Sequence, residues 1–99
     1  MTLRSEEVLG ILAARQPELR RLGATRLGLF GSVVRGDARE DSDLDFLVEL
    51  DRKTFDSYMD LKVFLEDLFH RPIDLVLSDA LKPRLRASIL SEVRYVPGL

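Results

Sequence analysis

Two short neighbouring stretches decide the fold. Residues 27–36 read LGLFGSVVRG, and residues 42–45 read SDLD. The first stretch opens with an apolar strand, Leu27 to Phe30, and the glycine behind it allows the backbone to approach a phosphate closely. If a helical turn follows, its free N–H groups point toward the same place. Gly31 and Ser32 are therefore candidate phosphate-binding residues, although an ordinary turn with Ser32 as a helix cap also explains the dipeptide.

The second stretch places two aspartates two positions apart. Apolar residues alternate with others from Asp43 to Leu50, which indicates a strand with two different faces. The carboxylates of Asp43 and Asp45 then share one side, about 7 Å apart, while Leu44 and Phe46 face the core. Aspartate is depleted in strands, and Mg²⁺ takes carboxylate oxygens as ligands, so the pair is a candidate metal site. A solvated strand face is the alternative.

A third carboxylate lies inside a later apolar segment. Residues 72–77 read PIDLVL, so Asp74 is a single charge within a predicted strand. Such a charge is costly to bury unless it is paired or bound to a metal. If this strand lies beside the Asp43 strand, three carboxylates converge, and bound cations would relieve their repulsion. An exposed edge position is the alternative, since Val76 and Ser78 share the face of Asp74.

The rest of the chain alternates between helical and strand patterns. Helical spacing covers residues 4–22, where Pro17 breaks the pattern and starts a second helix. A further helix is predicted from the N-cap Thr54 to about Phe69, and His70 caps its end. The other predicted elements are a strand over Ile73–Leu77, a helix containing Leu81, Leu85 and Ile89, and a short strand over Arg94–Val96. These elements predict an α/β fold, in which helices flank a small mixed β-sheet.

Composition excludes several kinds of site and partner. The 99 residues suffice for one domain, expected to span residues 1–99. With no cysteine and a single histidine, disulfides, thiolate catalysis and zinc sites built from several histidines are excluded. The net charge of −2 argues against nucleic-acid binding by this chain alone. Met1 to Leu12 show no signal-peptide pattern, and no apolar run reaches the roughly 18 residues of a membrane span, so we expect a cytoplasmic protein without a membrane partner.

Taken together, these features resemble the nucleotidyltransferase superfamily of DNA polymerase β. The shared order is a strand, Gly31-Ser32, ten residues, Asp-x-Asp on the next strand, and Asp74 on a later strand. The two opening stretches look like the stand-alone minimal branch of that superfamily. Residues 81–86, LKPRLR, and the closing Arg94-Tyr95-Val96 also resemble that branch, so the resemblance covers nearly the whole chain.

The resemblance implies that the three aspartates form a two-metal site. Asp43 and Asp45 would hold both Mg²⁺ or Mn²⁺ ions, and Asp74 would complete the site of the ion that activates the acceptor hydroxyl. Two ions about 4 Å apart stabilise the attacking and leaving oxygens. Because phosphoryl chemistry depends mainly on positioning and charge neutralisation, a small protein with few catalytic side chains suffices.

The resemblance also implies phosphate contacts. Gly31 and Ser32 would hold the triphosphate of an NTP, with ATP as the expected donor. Arg35 would either contact phosphate oxygens or pair with Asp37 or Asp41 at the surface, and the sequence leaves both open.

The implied reaction is transfer of a nucleoside monophosphate, AMP from ATP, to an acceptor hydroxyl. Larger superfamily members carry a second domain that recognises the acceptor, and we expect no such domain within the 99 residues of this sequence. Minimal members pair with a separate helical protein, often a HEPN-domain toxin, so the resemblance implies an antitoxin that adds AMP to a tyrosine of that partner. Two alternatives stay open: nucleotidyl transfer to a small molecule such as an aminoglycoside, and a non-catalytic nucleotide-binding module that neutralises its partner by occlusion.

The helix predicted over residues 54–69 is apolar over more than half of its circumference. Its apolar residues are Phe55, Tyr58, Met59, Leu61, Phe64, Leu65, Leu68 and Phe69. A helix that faces only its own sheet needs an apolar stripe of about 100° or slightly more. The surplus predicts an interface with a partner or with a second copy in a homo-oligomer, unless the first helix covers it.

Overall fold

A computed structural model describes residues 3–39 and 41–99. Met1, Thr2 and Glu40 belong to the predicted domain of residues 1–99 but lie outside the described residues. Met1 and Thr2 are also the first two residues of the Met1–Leu12 segment, which shows no signal-peptide pattern. The elements are, in chain order, α1 (Ser5–Ala13), α2 (Gln16–Arg21), β1 (Ala24–Phe30), α3 (Ser32–Arg35), β2 (Leu44–Leu50), α4 (Phe55–Phe69), β3 (Ile73–Leu77), a 3₁₀ turn (Ser78–Ala80), α5 (Pro83–Glu92) and β4 (Arg94–Tyr95).

The four strands form one mixed sheet in the order β3-β2-β1-β4. β1 is antiparallel to both β2 and β4, whereas β2 and β3 are parallel. A parallel pair needs a crossover connection, and α4 supplies it between β2 and β3. This mixed sheet with helices confirms the predicted fold class.

One face of the sheet carries the hydrophobic core. On β2 this face holds Leu44, Phe46 and Val48, all at most 1% exposed, and the register places Leu27 and Leu29 of β1 beside them. Helices α1, α2 and α4 contribute the rest of the core, chiefly Val8, Leu12, Leu19, Leu61 and Leu65. The alternation along β2 therefore turns Asp45 to the opposite face of the sheet.

The ends of several elements differ slightly from the sequence pattern. β1 begins at Ala24, three residues before the predicted Leu27, because pairing with β2 continues to Ala24 opposite Leu50. The predicted connection after Phe30 contains the short helix α3. Pro17 lies in the first turn of α2, where its missing N–H costs little. His70 ends α4 in a left-handed conformation, with φ 54°, which confirms its predicted capping position.

α4 is more thoroughly covered than its sequence predicts. The members of its apolar arc that are buried or packed against the core are Tyr58, Leu61, Phe64, Leu65, Leu68 and Phe69. The sheet accounts for much of this cover: the Phe69 ring lies 6.1 Å from that of Phe46, and the Tyr58 hydroxyl donates to the Leu75 carbonyl at 2.6 Å. Phe55, 76% exposed, and Val63, 47% exposed, keep a narrower apolar stripe in solvent.

No helix in the described part of the chain is long and apolar enough to cross a membrane.

Candidate active site

Two of the three predicted aspartates lie side by side on the face of the sheet opposite the core. Asp45 of β2 and Asp74 of β3 are direct partners in the parallel ladder, so their Cα atoms are on neighbouring strands roughly 4.8 Å apart. Asp45 is half-buried and Asp74 is exposed. The condition that the sequence left open, that the two acidic strands are neighbours, is met.

The environment of Asp45 disfavours its charged form. Burial, followed by the negative charges of Asp74 and Asp43, raises the pKa of Asp45 from 3.8 to about 6, and a hydrogen bond with Asp74 adds to the shift. Removing water and adding like charges both penalise a carboxylate. A divalent cation between these groups would reverse both effects, since it replaces the lost solvation and neutralises the repulsion.

Asp43 precedes the strand that carries Asp45. It lies one residue before β2 and is exposed. Within residues 3–39 and 41–99, no three acidic or histidine side chains are already gathered in the geometry of a metal site. The donor set fits Mg²⁺ or Mn²⁺, because all three side chains offer hard carboxylate oxygens and one of them is destabilised as an anion.

Gly31 brings the predicted phosphate loop against the acidic pair. It follows β1, whose last residue Phe30 is the register partner of Asp45. With φ 84° and ψ −152°, Gly31 occupies a backbone region that is essentially restricted to glycine. A Cβ atom there would collide with a carboxylate oxygen of Asp45. Glycine at this position therefore permits both the turn and the contact.

Ser32 begins α3 directly beyond this turn and is half-buried. The first N–H groups of a helix have no partner within the helix. α3 ends with Gly36 in the left-handed conformation, and the Asp37 N–H closes the turn by donating to the Ser32 carbonyl at 3.1 Å. Gly31 thus lies next to the Asp45 carboxylate, and Ser32 follows it at the start of α3.

Arg35 does not stand free beside the loop. Its guanidinium lies 3.6 Å from the Asp37 carboxylate and 3.3 Å from that of Glu92. Of the surface pairings that the sequence left open, the one with Asp37 is formed. The contact with Glu92 is new.

Glu92 was missed by the sequence analysis. Its carboxylate accepts a hydrogen bond from the Gly31 N–H at 2.9 Å as well as from Arg35. One sequence signal points to it: Glu92 is the last residue of α5, where the helix dipole disfavours a negative charge. An acid in that position calls for a compensating partner elsewhere in the fold.

The acidic residues face solvent: Asp43 and Asp74 are exposed and Asp45 is half-buried. An open groove of about 950 Å³ runs between the start of α1 and α3, lined by Leu3, Arg4, Ser5, Glu6, Glu7, Val33, Val34, Gly36, Ala38 and Arg94. It shares α3 with the loop but includes none of the three aspartates.

Comparison with known proteins gives a consistent result. The family described as nucleotidyltransferase domain matches residues 6–96. The chain is 42% identical over 93 residues to the protein adenylyltransferase MntA of Thermococcus cleftensis, covering 92% of this chain and 94% of that one.

Two solved structures share the fold. One is a candidate minimal nucleotidyltransferase, 40% identical, with a TM-score of 0.78 and coverage of 93% of this chain and 95% of that chain. The other comes from a complex of a tri-AMPylated Shewanella oneidensis HEPN toxin with an MNT antitoxin, 17% identical, with a TM-score of 0.64 and coverage of 92% and 73%. At that identity the second likeness concerns the fold alone. The family match over residues 6–96, on a sheet that carries the expected aspartates and glycine turn, shows that this chain belongs to the nucleotidyltransferase family.

Proposed function

We propose that this chain transfers AMP from ATP to a tyrosine hydroxyl of a separate HEPN-type protein, and so acts as the antitoxin of a toxin–antitoxin pair in the cytoplasm. The observation that carries the proposal is the register of Asp45 with Asp74 beside the Gly31 turn. It occurs in a chain that is 42% identical, over nearly its whole length, to a protein adenylyltransferase.

The carboxylates define the chemistry of the site. Asp43, Asp45 and Asp74 would hold two divalent cations, which supply charge neutralisation at the attacking and leaving oxygens. In the transfer itself, the acceptor oxygen bonds to the α-phosphorus as the hydroxyl loses its proton. The bond between the α-phosphorus and the oxygen that bridges the α- and β-phosphates breaks, and pyrophosphate leaves with the electron pair of that bond. Nothing in this step requires a nucleophilic side chain of the enzyme.

The loop supplies the phosphate contacts of the proposed site. Gly31 brings the loop backbone against the Asp45 carboxylate, and Ser32 offers a half-buried hydroxyl and backbone N–H groups at the start of α3. Arg35 provides a positive charge whose partners, Asp37 and Glu92, hold it at the end of the same helix. Guanidinium groups suit phosphate oxygens because they donate in a planar fork.

The partner is proposed from the relatives. The fold occurs in a solved complex between a HEPN toxin that carries AMP and an MNT antitoxin. An open site fits a macromolecular acceptor, since a tyrosine on a second protein can complete the surface around the carboxylates. The alternatives are transfer to a small molecule such as an aminoglycoside, and neutralisation of the partner by occlusion alone.

The experiment is incubation of the purified chain and its operon neighbour with ATP and Mg²⁺, followed by mass spectrometry of the neighbour. We expect one or more AMP adducts on tyrosine, and none when Asp43→Asn replaces the wild type. Tight binding without any adduct would support occlusion. Efficient modification of an aminoglycoside by the chain alone would exclude both readings that involve a partner protein.

A further inference from the structure

We infer that Glu92 is a positioning residue for nucleotide binding, which holds the Gly31 turn and the Arg35 guanidinium from the end of α5. The inference deepens the proposed function and rests on it, because it concerns the same phosphate loop. Glu92 is separated from Gly31 by 61 positions, yet its carboxylate accepts from the Gly31 N–H at 2.9 Å. The same group accepts from Arg35 at 3.3 and 3.4 Å.

The buried N–H of Gly31 needs a hydrogen-bond acceptor. Gly31 is buried, and its N–H donates to the Glu92 carboxylate. A buried N–H without a partner costs about 1–3 kcal/mol, so the acceptor helps to set the conformation of the turn. Glu92 is the side chain that satisfies it, and its side chain is only 23% exposed.

Glu92 also determines where the guanidinium of Arg35 is held. Two carboxylates compete for this guanidinium: Asp37, 3.6 Å away on the loop that follows α3, and Glu92 on α5. Without Glu92, the remaining ion pair would draw Arg35 toward Asp37. With Glu92 in place, Arg35 is held beside Gly31, where the proposed triphosphate binds.

The β1–β4 ladder brings Glu92 to the loop: Gly28 pairs with Tyr95 and Leu29 with Arg94, and the same antiparallel register continued by two residues sets Glu92 opposite Gly31. α5 itself has no buried residue, so Glu92 is positioned by this ladder and not by packing of α5 into the core. A carboxylate at a helix C-terminus is disfavoured by the dipole, and its contacts with a backbone N–H and a guanidinium offset that penalty. The geometry thus connects α5 directly to the phosphate loop.

The test is direct binding of the nonhydrolysable analogue AMP-PNP, with Mn²⁺, to the purified chain. Glu92→Ala removes both contacts, and we expect about tenfold weaker binding, equivalent to about 1.4 kcal/mol. Glu92→Gln keeps an oxygen acceptor for Gly31 but loses the charge, and we expect roughly threefold weaker binding, about 0.65 kcal/mol by the same conversion. Glu18→Gln is the matched control, because Glu18 lies away from the loop and forms a surface ion pair with Arg15, at a distance of 3.8 Å. The Glu18→Gln variant should bind AMP-PNP as tightly as the wild type.

Two further readouts separate positioning from a merely structural role. The amide resonance of Gly31 should shift in Glu92→Ala and largely persist in Glu92→Gln. In an Arg35→Ala background, Glu92→Ala should weaken binding less than it does in the wild type, since contacts that act together are not additive.

The outcomes also distinguish this inference from the proposed function. If the wild type fails to bind AMP-PNP, the proposed function fails. If the wild type binds and both folded Glu92 variants bind equally well or more tightly, Glu92 does not position the loop, and tighter binding would mean that it occupies the place of a phosphate.

Discussion

Replacement of Gly31 by alanine should be far more harmful than replacement of Gly36 or Gly10. Gly31 has φ 84° and ψ −152°, and a Cβ atom would overlap a carboxylate oxygen of Asp45. The backbone region alone costs about 1–3 kcal/mol for a residue other than glycine. Displacement of a packed neighbour adds about 1–3 kcal/mol, so we expect a total loss of about 3 kcal/mol.

Two other glycines in the chain provide matched controls. Gly36 also has a positive φ, 82°, but nothing lies within 4 Å of its Cβ position, so Gly36→Ala should cost about 1 kcal/mol from backbone strain only. Gly10 is in α1 with open space around it, and Gly10→Ala should stabilise the protein by roughly 0.5–1 kcal/mol.

The assay is thermal and urea unfolding of the three variants without metal. At about 4–8 °C per kcal/mol for a domain of this size, Gly31→Ala should lower Tm by at least about 12 °C. Gly36→Ala should lower it by a few degrees, and Gly10→Ala should raise it slightly. Equal losses in Gly31→Ala and Gly36→Ala would refute the contact between the glycine turn and Asp45.

Three further predictions follow from single groups. Ser32→Ala should weaken AMP-PNP binding without lowering Tm appreciably, because the side chain is half-buried and starts a four-residue helix; unchanged affinity would mean that the loop is only a turn. The folded-state pKa of Asp45 is raised to about 6, so the protonated carboxyl favours the folded state. Its contribution to the free energy of unfolding is complete below about pH 4 and is lost as the pH rises through 6. Tm of the metal-free protein should therefore decrease over this range more than Tm of Asp45→Asn, and MnATP should raise Tm at pH 7 in the wild type only. Tyr58→Phe, which removes the 2.6 Å hydrogen bond to the Leu75 carbonyl, should cost about 1 kcal/mol by urea unfolding without changing nucleotide affinity.

The parts of the fold that sequence could predict are those specified by local pattern. The alternation from Asp43 to Leu50, the N-cap at Thr54 and the glycine after Phe30 each determine structure within a few residues, and the strand, helix and turn are found where they were expected. The Thr54 side chain does accept from the Ser57 N–H, as a capping threonine should.

The parts that sequence could not settle depend on contacts between distant residues. The convergence of Asp45 with Asp74 required β2 and β3 to be neighbours, which the crossover through α4 determines and no local pattern reveals. The local sequence offers Arg35 only the nearby Asp37 and Asp41 as partners, because Glu92 comes close only when the end of α5 returns to the loop. The metal-binding and phosphate-binding roles of these residues remain predictions.

The wide apolar arc of α4 shows the same limit. Sequence gives the width of the arc but not the area of sheet available to cover it. Phe69 and Tyr58 contact the sheet, which leaves chiefly Phe55 and Val63 in solvent.

The measurement that tests the central claim most directly is which phosphate of ATP, α or γ, becomes covalently attached to the partner protein. The chain, its operon neighbour and Mg²⁺ are incubated with ATP labelled at either the α- or the γ-phosphate, and the neighbour is then isolated under denaturing conditions. Nucleotidyl transfer predicts that the α-label alone becomes covalently attached, and that Asp43→Asn abolishes the attachment. Attachment of the γ-label would indicate phosphoryl transfer, and attachment of neither label by an intact, tightly bound complex would contradict the proposed activity.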